Sequence, residues 1–353
     1  MEGGLKMKRK HLTLLFVLVL IIIVSYGLYY WLGDKSRVEK PVELIKVRFA
    51  MNPRFLGEAA FHLAYRNGYF KEEGLDIVLI KNPAGWQSLK NLFEGDADIA
   101  NVADLPISYS ALDKKKYTDF ERGDFYIITD LIYSNKIQQA LARKDRGIYA
   151  PEDIKGKRVG LFRGTTADFF LDAFLTEYNL KALDIEVVNM GVIEQVEALV
   201  KGDLDVIFSW QPHILNAQKL LGDKAIILPT KLTYTTAWLS VVMKEYAEEH
   251  PEVLEKYLRA IHKANQFIKE NREEAITIHA EMSGVDREVF ASLWDDIDYK
   301  LSLSEALLTT LEDEARWIIR SKLTDQTEVP NFLDFIYFDA MEKIKPDGIT
   351  IIR

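Results

Sequence analysis

The chain has 353 residues, of which 48% are hydrophobic and 28% are charged. This composition is that of an ordinary globular protein and excludes intrinsic disorder and collagen-like repeats. There is no cysteine, which excludes disulfide frameworks, thiolate metal sites, cysteine nucleophiles and lipid-modified cysteines. The formal net charge of −9 argues against a general nucleic-acid-binding surface. A chain of this length outgrows a single core, so two lobes are the starting expectation.

The N-terminal segment predicts a membrane anchor. Residues 11–33 contain no Asp, Glu, Lys or Arg, and a helix over 12–32 would be roughly 31 Å long, enough to cross a bilayer core. The basic residues between Lys6 and Lys10 would stay in the cytoplasm, and residues 34–40 read as a short tether. A signal peptide cleaved after Gly27 is the alternative interpretation.

Beyond the tether, two segments show the same predicted order of elements, β-α-β-α-β. Residues 92–99 of the first segment resemble residues 199–206 of the second, about 107 positions later. That spacing favours two similar α/β lobes over a solenoid. The predicted strands are 45–50, 75–80, 97–102, 158–162, 185–188 and 206–209, and the predicted helices are 56–69, 86–93, 166–178 and 193–200.

Each of these repeats contains a Gly-Asp-x-Asp sequence, at residues 95–98 and 202–205. Gly95 and Gly202 are placed to end a helix in the left-handed conformation that glycine adopts without strain. The aspartates then turn the chain into the next strand. We interpret both sequences as structural turns and not as ligand sites. After one more strand at 240–243 the chain is predominantly helical.

Several of these segments, in this order, resemble a family of transport proteins. The sequences are Asn67–Ile77, Gly95–Ile99, Pro151–Gly160, Gly202–Val206 and Met243–Ala275. They are similar to the solute-binding proteins of ABC importers for nitrate, taurine, alkanesulfonates and thiamine-precursor pyrimidines, the SsuA/THI5-like or NMT1-like family. Together they span roughly residues 46–330. Many Gram-positive and archaeal relatives attach to the membrane through a lipidated cysteine. This chain has no cysteine, so the predicted anchor helix would attach it instead.

The resemblance implies a type II periplasmic-binding-protein fold of the α/β class. Two lobes would be joined by two crossing strands, near residues 129–143 and 233–243, and would close on a ligand. Residues 41–130 and 240–353 would form lobe 1, residues 131–239 would form lobe 2, and residues 1–40 would hold the anchor and the tether. The implied partners are a small-molecule solute and an ABC-transporter permease, on the extracytoplasmic side of the cell membrane.

Candidate ligand contacts follow from the position of the strands. In open α/β sheets the crevice lies beyond the carboxyl ends of the strands, where helix N-termini present free N–H groups. Five loops meet this condition: 51–54, 82–86, 101–104, 163–166 and 209–212. Their candidate contacts are Asn52, Arg54, Trp86, Asn101, Asp104, Arg163, Gly164, Thr165, Thr166, Trp210 and Gln211.

The loop at residues 163–166 is the sharpest candidate. Gly164 permits close backbone approach, and Arg163 offers a planar fork for a sulfonate, carboxylate or phosphate. In the competing interpretation, Thr165 or Thr166 caps its own helix and Arg163 points to water. Arg54 is a second possible anion contact or a solvated loop residue.

Aromatic side chains supply the other candidates. Trp86, Trp210, Tyr234 and Trp238 could stack on a heterocycle or cover an alkyl chain, or they could belong to the core. Asp104 could accept hydrogen bonds from an amine or cap the helix that follows it. The six histidines do not show metal-ligand spacing, and the sequence predicts no catalytic residues, metal site or cofactor.

Three functions are compatible with these observations. The first is a binding protein that captures a small anionic or heteroaromatic solute (a sulfonate, nitrate, a carboxylate or a pyrimidine-like ring) and delivers it to a permease. The second is an enzyme on the same fold, of the pyrimidine-precursor synthase or chorismate-derived dehydratase type. The third is a sensory module, although no signalling domain follows the last helix.

Overall fold

The structure is a computed structural model that describes residues 3–34, 43–112, 124–231 and 234–352. The chain divides into two compact units, which meet in sequence between Glu43 and Leu44. The first contains helix α1 (Gly3–Asp34), which includes the predicted anchor. Of the helices in the described ranges, none has the combined length and apolarity of a membrane span. Residues 35–42, which include most of the predicted tether, lie outside the described residues.

The second unit contains all of the strands found in the described residues. They are β1 (Ile45–Met51), β2 (Leu75–Lys81), β3 (Ile99–Ala103), β4 (Phe125–Ser134), β5 (Gln138–Arg143), β6 (Arg158–Leu161), β7 (Glu186–Asn189), β8 (Val206–Trp210), β9 (Ala225–Ile227), β10 (Thr236–Met243) and β11 (Asp298–Ser302). Its helices are α2 (Ala59–Arg66), α3 (Tyr69–Glu72), α4 (Gly85–Phe93), α5 (Asp104–Leu112), α6 (Thr166–Glu177), α7 (Val192–Lys201), α8 (His213–Leu221), α9 (Lys244–Glu249), α10 (Pro251–Glu270), α11 (Arg272–Ser283), α12 (Arg287–Leu293), α13 (Glu305–Arg320) and α14 (Asp339–Ile344).

These strands form two mixed sheets with the same central arrangement. The six-stranded sheet has the order β11-β4-β10-β3-β1-β2, and the five-stranded sheet has the order β7-β6-β8-β5-β9. In the first sheet β1 pairs in parallel with β2 and β3, and in the second β6 pairs in parallel with β7 and β8. In each sheet an antiparallel strand lies next to these three parallel strands. It is β10, beside β3, in the first sheet and β5, beside β8, in the second. The predicted α/β class and the repeated unit are therefore confirmed.

The chain passes between the two sheets twice. The first connection comprises residues 135–137, between β4 and β5, and lies inside the predicted crossing. The second runs from the end of β9 at Ile227 to the start of β10 at Thr236, and includes residues 232 and 233 outside the described ranges. It begins earlier in the chain than predicted, because β10 is itself a central strand of the six-stranded sheet and not a linker.

The two Gly-Asp-x-Asp turns use equivalent hydrogen bonds. The Asp98 carboxylate accepts a hydrogen bond from the backbone N–H of Arg48 at 2.7 Å, and the Asp205 carboxylate accepts one from the backbone N–H of Arg158 at 2.9 Å. Gly95 and Gly202 have φ angles of 77° and 90°, as predicted for helix ends. The second aspartate of each turn thus ties the third strand of the repeat to the first.

Replacing Asp98 by alanine should lower the free energy of unfolding by about 1–3 kcal/mol, because a strand N–H and the Arg48 side chain lose their acceptor. Asp96→Ala is the matched control, since Asp96 is exposed and its loss should change stability by less than about 0.5 kcal/mol. Urea denaturation of both variants measures the difference. Equal stability of the two variants would contradict this role for Asp98.

Candidate functional site

A cavity of about 420 Å³ lies where the carboxyl ends of strands from both sheets meet. The six-stranded sheet and its helices contribute most of the wall, and the five-stranded sheet contributes four residues. The lining residues are Asn52, Phe55, Ala84, Gly85, Trp86, Ala103, Pro106, Gln138, Thr165, Thr166, Trp210, Thr236 and Trp238. None of these described lining residues has a charged side chain.

The structure brings six of the candidate residues together around this cavity. They are Asn52, Trp86, Thr165, Thr166, Trp210 and Trp238. Thr165 and Thr166 come from the start of α6, and Trp86 comes from the first turn of α4, so two helix N-termini face the cavity. Such ends offer N–H groups and a partial positive charge, which favour an oxyanion.

Arg163, which was predicted to bind an anion through its guanidinium group, does not line the cavity. The Arg163 Nη1 atom lies 2.7 Å from Asp168 Oδ1 in an ion pair, and the backbone N–H of Gly164 donates to the other oxygen of Asp168 at 3.2 Å. Neither Arg163 nor Gly164 lines the cavity. The reason is local, because a carboxylate in the first turn of α6 satisfies the arginine and the glycine that precede the helix.

Arg54 also lies outside the cavity. It borders a separate, polar pocket of about 600 Å³ together with His213, Asn216 and Asp286. Its backbone N–H donates to Asn52 Oδ1 at 3.2 Å. Arg54 therefore borders this second pocket and not the cavity, and its predicted contact with an anion stays a prediction.

Asn101 supports the cavity wall from behind. Its Nδ2 atom donates to Glu58 Oε2 at 2.7 Å, and its Oδ1 atom accepts from Ser240 Oγ at 2.7 Å. Glu58 also accepts hydrogen bonds from Trp238 Nε1 at 3.2 Å and from the backbone N–H of Asn52 at 3.3 Å. Burial raises the pKa of Glu58 to about 8, and these donors oppose that shift. Glu58 was not a sequence candidate, because only the fold shows what its carboxylate reaches.

Asp104 caps its own helix and also connects the two lobes. Its carboxylate accepts hydrogen bonds from the backbone N–H of Leu105 at 2.9 Å and of Ala237 at 2.7 Å. Across the crevice, Thr166 Oγ1 donates to Asp104 Oδ1 at 3.1 Å. Burial raises the pKa of Asp104 to about 6, although these hydrogen bonds favour the charged form. Asp104 is not among the residues that line the cavity, and its predicted contact with a ligand stays a prediction.

Tyr234 and Gln211 likewise serve neighbouring protein groups. The Tyr234 hydroxyl donates to Glu314 Oε1 at 2.6 Å. Burial, together with the charge of Asp104, raises the pKa of Glu314 well above its ordinary value. The Gln211 side chain accepts from the backbone N–H of Leu215 at 3.1 Å. Neither residue lines the cavity.

Three polar atoms of the cavity-lining residues are buried and have no hydrogen-bond partner among the residues that the structure describes. They are Trp86 Nε1, Gln138 Oε1 and Thr236 Oγ1. Buried polar groups are nearly always paired, so these three residues join the candidates for a ligand contact. Gln138 and Thr236 were not sequence candidates. Each is the first residue of a strand that follows a crossing, and this position is the signal that could have found them.

Trp238 forms a fixed part of the wall. A Cβ atom on Gly57 or on Gly85 would lie 2.6 Å from the indole, so both glycines are needed for its close packing. The Phe55 ring lies 4.3 Å from the indole, measured between ring centroids. The side chain is only 3% exposed. From the other lobe Phe162 meets Trp86 edge to face, with the centroids 6.2 Å apart.

Two mixed sheets with flanking helices, joined by two crossings beside a cavity, define an α/β fold of the periplasmic-binding-protein type. The chain belongs to the NMT1/THI5-like family, whose family model matches residues 57–275. The family resemblance seen in the sequence is thus confirmed.

Among curated relatives, the taurine-binding periplasmic protein of Escherichia coli (strain K12) is 26% identical over 205 residues. That match covers 57% of this chain and 60% of the relative, so the chain spans three fifths of the relative's length.

Among solved structures, the alkanesulfonate-binding protein SsuA from Xanthomonas axonopodis pv. citri, bound to MOPS, superposes with a TM-score of 0.68 at 18% identity. The match covers 81% of this chain and 96% of SsuA. The desulfurization enzyme DszB superposes with a TM-score of 0.63 at 15% identity, over 86% of this chain and 99% of DszB. These likenesses show the fold, which binding proteins and an enzyme share.

The unpaired hydroxyl of Thr236 gives a stability prediction that needs no ligand. Thr236→Val should leave the free energy of unfolding unchanged or raise it by about 1 kcal/mol, because it removes an unsatisfied buried hydroxyl. Thr129→Val is the matched control in the neighbouring strand, since the Thr129 hydroxyl is equally buried but donates to a carbonyl oxygen at 2.7 Å. That variant should lose about 1 kcal/mol in urea denaturation. An equal loss in both variants would show that Thr236 is paired.

Proposed function

We propose that the chain is an extracytoplasmic solute-binding protein of an ABC importer, which captures a small solute by closure of two lobes and delivers it to a permease. The observation that carries this proposal is the cavity between the lobes, whose wall contains three unpaired buried polar atoms. Membership of the NMT1/THI5-like family supports it. The names of the similar binding proteins favour a sulfonate, such as taurine, as the first solute to test.

The unpaired atoms constrain the chemistry of the solute. Trp86 Nε1 requires an acceptor, Gln138 Oε1 requires a donor, and the Thr236 hydroxyl can be either. An aminosulfonate or a pyrimidine-like ring carries both kinds of group, whereas nitrate has no donor for Gln138. An anionic head would be held by the N–H groups at the start of α4 and α6. Trp210 and Trp238 would cover an alkyl chain or a ring.

Closure requires two bodies that move against each other. We assign residues 41–130 and 240–353 to one lobe and residues 131–239 to the other, with the two crossings as hinges. The contacts between Thr166 and Asp104 and between Trp86 and Phe162 then belong to the closed state. They would form each time the lobes close on a solute.

A location outside the cytoplasmic membrane is part of the same proposal. It is supported by the basic residues before position 11 and by the uncharged run over 11–33. Retention of this segment would tether the protein, and its removal would release it. Fractionation of cells that express the full chain, followed by mass determination of the product, tests this part separately.

A thermal-shift panel tests the solute-binding function directly. The panel contains taurine, alkanesulfonates, nitrate, aromatic carboxylates and pyrimidines. A true solute at a hundred times its dissociation constant should add about 2.7 kcal/mol to the stability of the folded state. The solute should be recovered chemically unchanged. Turnover of a hit would favour the enzyme, and a panel without a hit would contradict the proposal for these solute classes.

Two variants locate the binding site. Thr236→Val should weaken the affinity for the hit about fivefold, which corresponds to the loss of about 1 kcal/mol for one hydrogen bond. Arg163→Gln is the control, because its guanidinium pairs with Asp168 away from the cavity, and its affinity should stay within about twofold of the wild-type value. Isothermal titration calorimetry measures both. Weakening by Arg163→Gln alone would place the solute elsewhere.

A further inference from the structure

We propose that Glu58 is a positioning residue of the solute cavity, whose carboxylate fixes the Trp238 indole and the backbone at Asn52 in the geometry that a solute meets. This inference rests on the proposed function, because it assigns a role within the same cavity. Glu58 does not line the cavity. It acts through the residues that do.

The carboxyl oxygens of Glu58 accept three hydrogen bonds from surrounding residues. Its side chain is completely buried. The Oε1 atom receives hydrogen bonds from the Trp238 indole N–H at 3.2 Å and from the Asn52 N–H at 3.3 Å. The Oε2 atom receives one from Asn101 Nδ2 at 2.7 Å. Two of these three donors belong to residues of the cavity wall.

Packing confines the indole, because Gly57, Gly85 and Phe55 lie close against the ring. A hydrogen bond to the ring nitrogen adds a directional constraint that apolar contacts do not supply. Glu58 Oε1 is the acceptor that makes this bond.

The Glu58 carboxyl group is itself fixed by hydrogen bonds to buried residues of the core. Asn101 on β3 connects Glu58 to Ser240 Oγ on β10 at 2.7 Å, and Ser240 Oγ lies 2.9 Å from the Tyr257 hydroxyl on α10. All of these side chains are completely buried. The position of the cavity wall is therefore set by regular elements of the six-stranded sheet and its helices and not by a loop.

Two substitutions test whether Glu58 positions the Trp238 indole through its hydrogen bond or only fills buried space. Glu58→Leu keeps the approximate size but removes the acceptor. Glu58→Gln keeps an acceptor for Trp238, and rotation of the Asn101 amide lets the new amide N–H pair with Asn101 Oδ1. We expect Glu58→Leu to displace the Trp238 indole N–H resonance in a ¹H–¹⁵N spectrum of the solute-free protein, and Glu58→Gln to restore it. Assignment of the resonance uses Trp238→Phe.

Binding is measured with taurine as the probe. Glu58→Leu should weaken the affinity at least tenfold, and Glu58→Gln should stay within about threefold of the wild-type value. Asp130→Asn is the matched control, because Asp130 is an equally buried carboxylate of the same sheet whose partners are Tyr133, Ser302 and Ser304. It should lower stability without moving the resonance or the affinity.

The role of Glu58 can still be tested if Glu58→Leu does not fold or if the protein does not bind taurine. Should Glu58→Leu not fold, Glu58→Asp replaces it, because the shortened side chain keeps its carboxyl group but no longer reaches the indole and must still displace the resonance. An unmoved resonance in both variants would overturn the proposal. If wild-type protein does not bind taurine, the proposed sulfonate specificity fails, while the resonance of the solute-free protein still decides whether Glu58 positions Trp238.

Discussion

The structure depends on one constraint, which is that the carboxyl ends of the parallel strands in both sheets point toward the same gap. The two short connections between the sheets hold these edges opposite each other. Helices that follow the strands then begin at the gap, so their free N–H groups and first-turn side chains collect there. Three buried polar atoms that have no hydrogen-bond partner among the described residues, on Trp86, Gln138 and Thr236, belong to residues that line this cavity.

Two acidic side chains lie behind the wall of this cavity and are not among its lining residues. Glu58 holds the Trp238 indole, and Asp104 accepts hydrogen bonds from Thr166 and from the backbone of Ala237. Both carboxylates are completely buried. Because these groups use their oxygens on protein donors, a solute bound as proposed would meet neutral hydroxyl, amide, indole and backbone groups. In this account Glu58 and Asp104 position the wall of the cavity, whereas the lining residues contact the solute.

The sequence predicted the fold well because the fold rests on local signals. The alternating strands, the helix-ending Gly95 and Gly202 and the spacing of the repeat are read from short segments. The crevice also followed from strand ends, which is why Asn52, Trp86 and Trp210 were candidates. Arg163 lies outside the cavity lining because its guanidinium pairs with Asp168, five residues later. Asn101 also lies outside the lining, because its side chain pairs with Glu58 from a distant segment. Thr236 and Gln138 were missed because they follow the crossings, outside the repeated unit. The lobe boundaries and the membrane anchor stay predictions.

A crystal structure with the solute bound tests the central claim most directly. It should show the solute between Trp210 and Trp238, with one acceptor on Trp86 Nε1, a donor on Gln138 Oε1 and the Thr236 hydroxyl in contact. A solute found instead in the pocket beside Arg54 and His213, with this cavity unfilled, would contradict the account.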